Sequence, residues 1–277
     1  MKEIITSSQN RFIKMAASLK EKKFRDELGL FSIEGVRLVE EAAQANWSVE
    51  ACVYIAGAEE DQRVQEVLLL LQSRNCRIIE VSAAIYGKIT EVKQPQGIMA
   101  IMKKREYRLV DCLANVEKPL LVVLDEVQDP GNVGTIIRTA VAAGCTGVIL
   151  TKGCSDVFAA KAVRASMGSL FYVPIFEGLS QDEVINSLDK YDIRILVTSL
   201  EDSTIYFRTD FNQSVAVVFG NEGNGVSRKL LEVAIERLHI PLLGNVESLN
   251  VAASAAVILS EAVRQRQSGQ THNRQKL

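Results

Sequence analysis

The chain has 277 residues, 47 % of them apolar, with 32 Lys and Arg against 34 Asp and Glu and a formal net charge of −2. At roughly 100–200 residues per domain this predicts two domains, each with its own core, and excludes a disordered chain or a coiled coil. The near-cancelled charge excludes a global pull toward polyanions, so such a partner must meet local basic patches. No segment reaches the roughly 18 uninterrupted apolar residues of a membrane helix, and the N-terminal MKEIITSSQNRFIKM lacks a signal peptide's apolar run. Five cysteines (Cys52, Cys76, Cys112, Cys145 and Cys154) without a C-x-x-C pair argue against a disulfide framework and a metal site. They predict small buried hydrophobes in a reducing cytoplasm.

In chain order, the first 25 residues hold Lys2, Arg11, Lys14, Lys20, Lys22, Lys23 and Arg25 against Glu3 and Glu21. Phe12, Met15, Leu19 and Phe24 recur between these cations near helical spacing, which predicts one basic amphipathic helix. Its charged face is open to two readings, a solvated surface or a surface for a polyanion. From Phe31 to Lys103 the strands FSIE, ACVYIA, CRIIEVS and GIMAIM alternate with the helical patterns VRLVEEAAQAN and 61–73. This predicts a small α/β domain over 1–103. Residues 104–119 are charged and aperiodic, end in proline and read as a linker.

A second α/β run covers 120–266. Its strands are LLVVLD (120–125), GVILT (147–151), YVPIF (172–176), IRILVTSL (193–200), VAVVFG (215–220) and LHIPLL (238–243). All but YVPIF are continuous, β-branched apolar runs, which predicts a mostly parallel sheet covered on both faces. Helices are expected at 133–143, 157–167, 182–189, 227–237 and 249–266, followed by a disordered polar tail at 267–277.

In a parallel sheet, ligands bind where strands run into the next helix, and three such segments collect polar residues. LDEVQDPGNVGTIIRTA contains Asn132, a good N-cap for the helix that follows, and Arg138 among Ile136, Ile137 and Ala140. Arg138 reads either as a structural cap on a neighbouring loop or as an anion-holding group in a cleft. VVFGNEGNGVSRKLL sets Asn221 and Glu222 between Gly220 and Gly223, with neither dinucleotide-fingerprint spacing nor a phosphate-loop lysine. IPLLGNVESLNVAASAAVIL places Ser248 and Asn250 at the entry of the last helix, where either alone reads as a cap.

Together, in this order and spacing, the three segments resemble the motifs of the SpoU (TrmH) family of RNA ribose 2′-O-methyltransferases, in the SPOUT class. The N-terminal TSSQNRFIK, KKFRDE and FSIEGVRLVEEA resemble that family's RNA substrate-binding domain. The resemblance implies a mostly parallel, Rossmann-like SPOUT domain with a C-terminal trefoil knot, which general topology rules would not predict. It implies S-adenosyl-L-methionine as cofactor, contacted by Thr198, Gly220, Ile240, Leu242 and Leu249, and a homodimer with the site near its interface. It implies catalytic positions at Arg138, Asn132, Glu222, Ser248 and Asn250; Arg164 in VRASMG also matches a family segment. RNA contacts are expected from Arg11, Lys14, Lys20, Lys22 and Lys23.

The implied chemistry is an in-line displacement that needs alignment and stabilisation of a ribose oxygen, and no metal. His272 lies in the polar tail and His239 in an apolar strand, so neither is placed as a base. Arginine side chains hold their proton, so the expected role of Arg138 is a fork on the adjoining phosphate and on the charge growing on the oxygen. Asn132, Ser248 and Asn250 would orient the arginine and the ribose. Glu222 would either fix its loop or act directly. The expected substrate is ribosomal RNA; transfer RNA, or a non-catalytic RNA-binding or ribosome-assembly role on the same fold, are the alternatives.

Overall fold

The computed structural model describes residues 2–114 and 116–274. They divide into two compact units, Met1–Arg105 with Phe158–Phe171, and Glu106–Val157 with Tyr172–Leu277.

The first unit begins with β1 (Lys2–Ile5), α1 (Arg11–Ser18), α2 (Lys22–Leu28) and β2 (Leu30–Glu34). It continues through α3 (Val36–Gln44), β3 (Val49–Ile55), α4 (Gln62–Ser73), β4 (Arg77–Val81), α5 (Ala83–Ile89) and β5 (Ile98–Lys103). The sheet order is β1-β4-β3-β5-β2. Its first two pairings are parallel and the two made by β5 are antiparallel. The single basic helix expected at the N-terminus is two. Asn10 caps α1 by accepting from the Phe12 N–H at 2.8 Å. The helix then stops because buried Arg25 takes the carbonyls of Leu19 (2.6 Å) and Lys20 (2.8 Å). Phe12, Ile13, Ala16 and Leu19 go into a core with Val53, Ile79, Ile85 and Tyr86, which leaves Arg11 and Lys14 exposed.

In the second unit, the stretch expected as a linker carries α6 (Leu109–Leu113), whose Leu113 joins that unit's core. Then come β6 (Leu120–Asp125), α7 (Pro130–Ala142) and β7 (Gly147–Thr151). The next helix, α8 (Ala160–Ser166), belongs to the first unit. Phe158 packs against Phe31 at 4.6 Å with the rings tilted by 44°, and Phe171 meets Trp47 edge-on at 5.2 Å, so an aromatic at each end fixes this excursion. Arg164 is an exposed residue of α8. The second unit resumes with β8 (Ile175–Leu179), α9 (Gln181–Lys190), β9 (Arg194–Thr198), β10 (Thr204–Ile205) and β11 (Val215–Gly220). It ends with α10 (Arg228–Val233), β12 (Glu236–His239) and α11 (Val251–Arg274).

The seven strands are ordered β10-β12-β9-β11-β6-β7-β8, every pair parallel. Every residue of β6, β7 and β11 is buried, as their continuous apolar runs require. Differences from the sequence reading lie at the edges. The strand expected at 238–243 ends at His239, two residues before Pro241, which has no N–H for a ladder. The helix expected over 227–237 stops at Val233, and Glu236–His239 pairs with β9 instead. The edge strand expected at 172–176 starts after Pro174, at Ile175. The last helix runs on to Arg274, because no proline between 266 and 274 stops it. Residues 275–277 of the tail expected to be disordered lie outside the described residues.

Candidate functional site

The carboxyl ends of β9, β11 and β12 open into a cleft of about 620 Å³ in the second unit. Three segments and Leu231 of α10 line it, the segments being Thr198–Glu201 at the exit of β9, the end of β11 with its loop through Val226, and the chain from Leu238 into the first turns of α11. Thr198, Gly220, Ile240, Leu242 and Leu249, the five positions expected to hold a cofactor, all line it, together with Glu222, Ser248 and Asn250. The Thr198 hydroxyl donates to the Val218 carbonyl at 3.1 Å, tying the β9 exit to β11.

The loop after β11 is folded by its own residues. A Cβ at Gly220 would collide with the backbone of Gly225 and Val226, so this glycine admits the chain's own return rather than a ligand. Asn221 and Gly225 exchange backbone hydrogen bonds at 2.9 Å, and Gly225 takes φ +71°. The Asn221 side chain accepts from the N–H groups of Gly223 (2.9 Å) and Asn224 (3.0 Å) and donates to the Glu126 carbonyl at 2.8 Å. Buried Asp125 accepts the Ser227 N–H at 2.7 Å, the Thr151 hydroxyl at 3.1 Å and the Gln181 amide at 3.2 Å. Asn221 and Asp125 thus clamp the loop to the end of β6. Asn221 had a visible signal, an amide between two glycines; Asp125, the last residue of an apolar strand, had none.

Asn132 is not the N-cap of α7. Asp129 is: its carboxylate accepts the Asn132 N–H at 2.9 Å, with Pro130 filling the first helical position. That frees the Asn132 side chain, which donates to Glu222 Oε1 at 2.9 Å and accepts from Asn250 Nδ2 at 3.0 Å. Asn250 does cap α11, accepting from Ala252 N (2.9 Å) and Ala253 N (3.3 Å), and its free amide reaches Asn132. Glu222 also accepts from the N–H groups of Gln128 (3.1 Å) and Asp129 (3.2 Å). Partial burial pushes the Glu222 pKa up, but the Asn132 amide and these backbone donors outweigh it and hold the carboxyl below its usual range. One chain of hydrogen bonds, Glu222–Asn132–Asn250, therefore ties the first turn of α7 to two of the cleft-lining segments, the loop after β11 and the entry of α11.

Ser248 is exposed on the cleft lining. Arg138 is not among the lining residues. It lies on the exposed face of α7 with Asn132, Thr135 and Thr139, while Val133, Ile136, Ile137 and Ala140 are buried. His239 also lines the cleft, its Nδ1 3.0 Å from the Ser203 hydroxyl. Among the described residues no three His, Cys, Asp or Glu side chains gather as metal ligands, and no helix is long and apolar enough to cross a membrane. The five cysteines are free thiols. Burial raises the pKa of Cys76 and Cys154 to about 11 and that of Cys145 to about 12.

A parallel sheet with a cleft at its strand ends, lined by apolar and a few polar side chains, is the architecture of an α/β protein that binds a small molecule. The chain belongs to the SpoU rRNA Methylase family, whose model matches residues 119–260; a model of the MRM3-like substrate binding domain matches residues 10–100. It is 34 % identical to the 23S rRNA (guanosine(2553)-2′-O)-methyltransferase RlmP of Bacillus subtilis, over 92 % of this chain and 97 % of that protein. It is 32 % identical to the 23S rRNA (uridine(2479)-2′-O)-methyltransferase of Streptomyces viridochromogenes, over 96 % and 94 %. Its structure is similar to the AdoMet-bound rRNA methyltransferase of Sinorhizobium meliloti, with a TM-score of 0.83 at 33 % identity, covering 95 % of this chain and 98 % of that one.

Proposed function

We propose that the protein transfers a methyl group from S-adenosylmethionine to a ribose 2′-hydroxyl of ribosomal RNA, and that it works in the cytoplasm. The observation that carries this reading is the Glu222–Asn132–Asn250 chain at the rim of the cleft. The cleft suits the cofactor: its volume is that of a small-molecule site. Leu231, Leu238, Ile240, Leu242 and Leu249 offer an apolar wall for a purine, and asparagine, serine and glutamate side chains offer polar partners. The cofactor supplies an already activated methyl group on a sulfonium.

What remains for the protein is alignment and charge. Asn132 and Asn250 hold each other's amides in one orientation and so present a fixed rim to a ribose. Glu222 is a positioning residue; its carboxylate is ionised and engaged by three donors, which suits it to hold Asn132 rather than to take a proton. Ser248, on the same lining, is placed to bond the ribose. Arg138 clamps the adjoining phosphate and stabilises charge on the attacking oxygen. Its position on an outward face, off the cleft lining of its own chain, supports pairing of two copies so that each completes the other's site. The trefoil knot belongs to the same proposal, supported by three separate loops converging on one cleft. Arg11, Lys14, Lys20, Lys22 and Lys23 are proposed to meet the RNA backbone.

The test is methyl transfer from labelled cofactor to unmodified 23S rRNA, read as ribose 2′-O-methylation, beside calorimetry with the cofactor. Arg138→Ala is expected to keep cofactor affinity and to lose turnover about a hundredfold or more, the scale of a lost charge-stabilising donor. Sedimentation should find a dimer. A wild-type protein that methylates no ribosomal RNA overturns the proposal, and an Arg138→Ala enzyme with unchanged turnover removes that residue from it.

A further inference from the structure

Three carboxylates, Glu201, Glu222 and Glu247, line the cleft, and no lysine or arginine lines it among the described residues. Glu222 is accounted for by its bonds to Asn132 and the α7 entry. Glu201 and Glu247 are not: both are exposed, and among the described residues neither side chain makes an ion pair or hydrogen bond. Arg237 of β12 pairs with Asp202 at 3.8 Å instead. His239, the one basic side chain on the lining among the described residues, is engaged with Ser203. Unpaired carboxylates on a cleft lining that carries no lysine or arginine among the described residues give the cleft a negative potential, which salt screens because the groups are exposed. Neither Glu201 nor Glu247 has its carboxylate engaged by a donor among the described residues, so the arrangement points to a positively charged occupant.

We propose that Glu201 and Glu247 make the cleft a charge selector, holding the sulfonium form of the cofactor and releasing the neutral thioether that remains after transfer. The inference rests on the cofactor reading above. The two molecules share adenosine, ammonium and carboxylate groups and differ in one methyl and one positive charge. As the carbon–oxygen bond forms and the carbon–sulfur bond breaks, the sulfur keeps the bonding electron pair and the hydroxyl proton leaves to water. The attraction between Glu201, Glu247 and the occupant then weakens, and the product is left held by the contacts common to both forms.

The experiment is calorimetry on the full chain with three probes: S-adenosylmethionine, S-adenosylhomocysteine and sinefungin, whose protonated amine stands where the sulfonium does. In the wild type, raising salt from about 50 mM to 500 mM is expected to weaken the two cationic probes several-fold relative to S-adenosylhomocysteine, since exposed charges are screened over this range. Glu201→Gln and Glu247→Gln are each expected to lower the affinity ratio of S-adenosylmethionine to S-adenosylhomocysteine about threefold, and the double variant about tenfold, the scale of solvent-exposed ion pairs. A salt series that moves all three probes equally, or a double variant with the wild-type ratio, overturns the inference while leaving the cofactor reading intact. A wild type that binds none of the three overturns the cofactor reading itself.

Discussion

Glu222 has both carboxylate oxygens engaged, Oε2 by the Gln128 N–H and Oε1 by the Asp129 N–H and the Asn132 amide. Glu222→Gln keeps the shape and replaces one acceptor with an NH₂ that must face a donor. The expected cost is about 1 kcal/mol of stability. Turnover should fall more than cofactor affinity does, because the orientation of Asn132 is lost. A double-mutant cycle with Asn132→Ala should show coupling, since the two residues act as one unit. The depressed pKa of Glu222 sets the pH dependence. Its folded-state pKa lies below the unfolded value of about 4.3, so its contribution is fully present above that value and is lost as pH falls through the folded pKa. Melts of wild type and Glu222→Gln should therefore differ at pH 7 and converge as the pH drops below about 4. A constant difference across that window would mean that the carboxylate charge is not what Asn132 and the backbone donors read.

At the scale of elements, α11 is held by a residue whose sequence context reads as surface. VRQRQ contains Arg264 and Arg266, two positions apart and so on different helix faces. Arg264 pairs with Glu261 at 2.7 Å on the surface. Arg266 turns inward and donates to the carbonyls of Lys118 (2.7 Å), Gln213 (2.8 Å), Phe211 (2.9 Å) and Pro119 (3.4 Å). Desolvation lowers its pKa, opposed by the nearby Asp210 carboxylate. Arg266→Met is expected to cost about 2 kcal/mol or more in denaturant unfolding, because carbonyls on two loops lose their donor together. Arg264→Met should cost well under 1 kcal/mol. The same contrast shows what the sequence reveals. Long apolar runs such as 120–125 and 215–220 announce buried parallel strands through composition alone. β1, four residues at a sheet edge, is made by pairing with β4 far along the chain, and nothing local marks it. α5 carries Gly87 mid-helix and depends on Ser82 as its cap. In the site, Asn250 was legible as a cap, but its second bond crosses 118 residues to Asn132, and Glu222 reaches Asn132 across 90. No local periodicity encodes such a contact, whereas the joint order of the three motifs did bring these residues together as one candidate site.

Over the whole molecule, a net charge of −2 leaves any RNA affinity to the way cations are distributed. Of the seven cations in the first 25 residues, Arg25 is buried and donates to the carbonyls of Leu19 and Lys20, just past the end of α1. Lys22 is paired with Asp26 at 3.3 Å, and Lys20 donates to the Lys88 carbonyl at 2.9 Å. Lys23 lies over the Phe24 ring at 5.8 Å. Arg11 and Lys14, one turn apart on the exposed face of α1, make no ion pair among the described residues. A phosphate contact contributes through counterion release, and a cation already neutralised by a carboxylate releases less. Replacing Arg11 and Lys14 together with glutamine should therefore reduce the slope of log affinity against log salt by about 1.4, the sum of two phosphate contacts to a single strand. Lys22→Gln alone should reduce it by well under about 0.7, the worth of one contact to a single strand. Neutralising Lys20, Lys22 and Lys23 together should weaken RNA binding and leave S-adenosylmethionine affinity unchanged. Filter binding across a salt series, with calorimetry on the same variants, measures both quantities. A slope that stays at the wild-type value in the Arg11/Lys14 variant would make this face of α1 ordinary solvated surface and move the RNA footprint elsewhere.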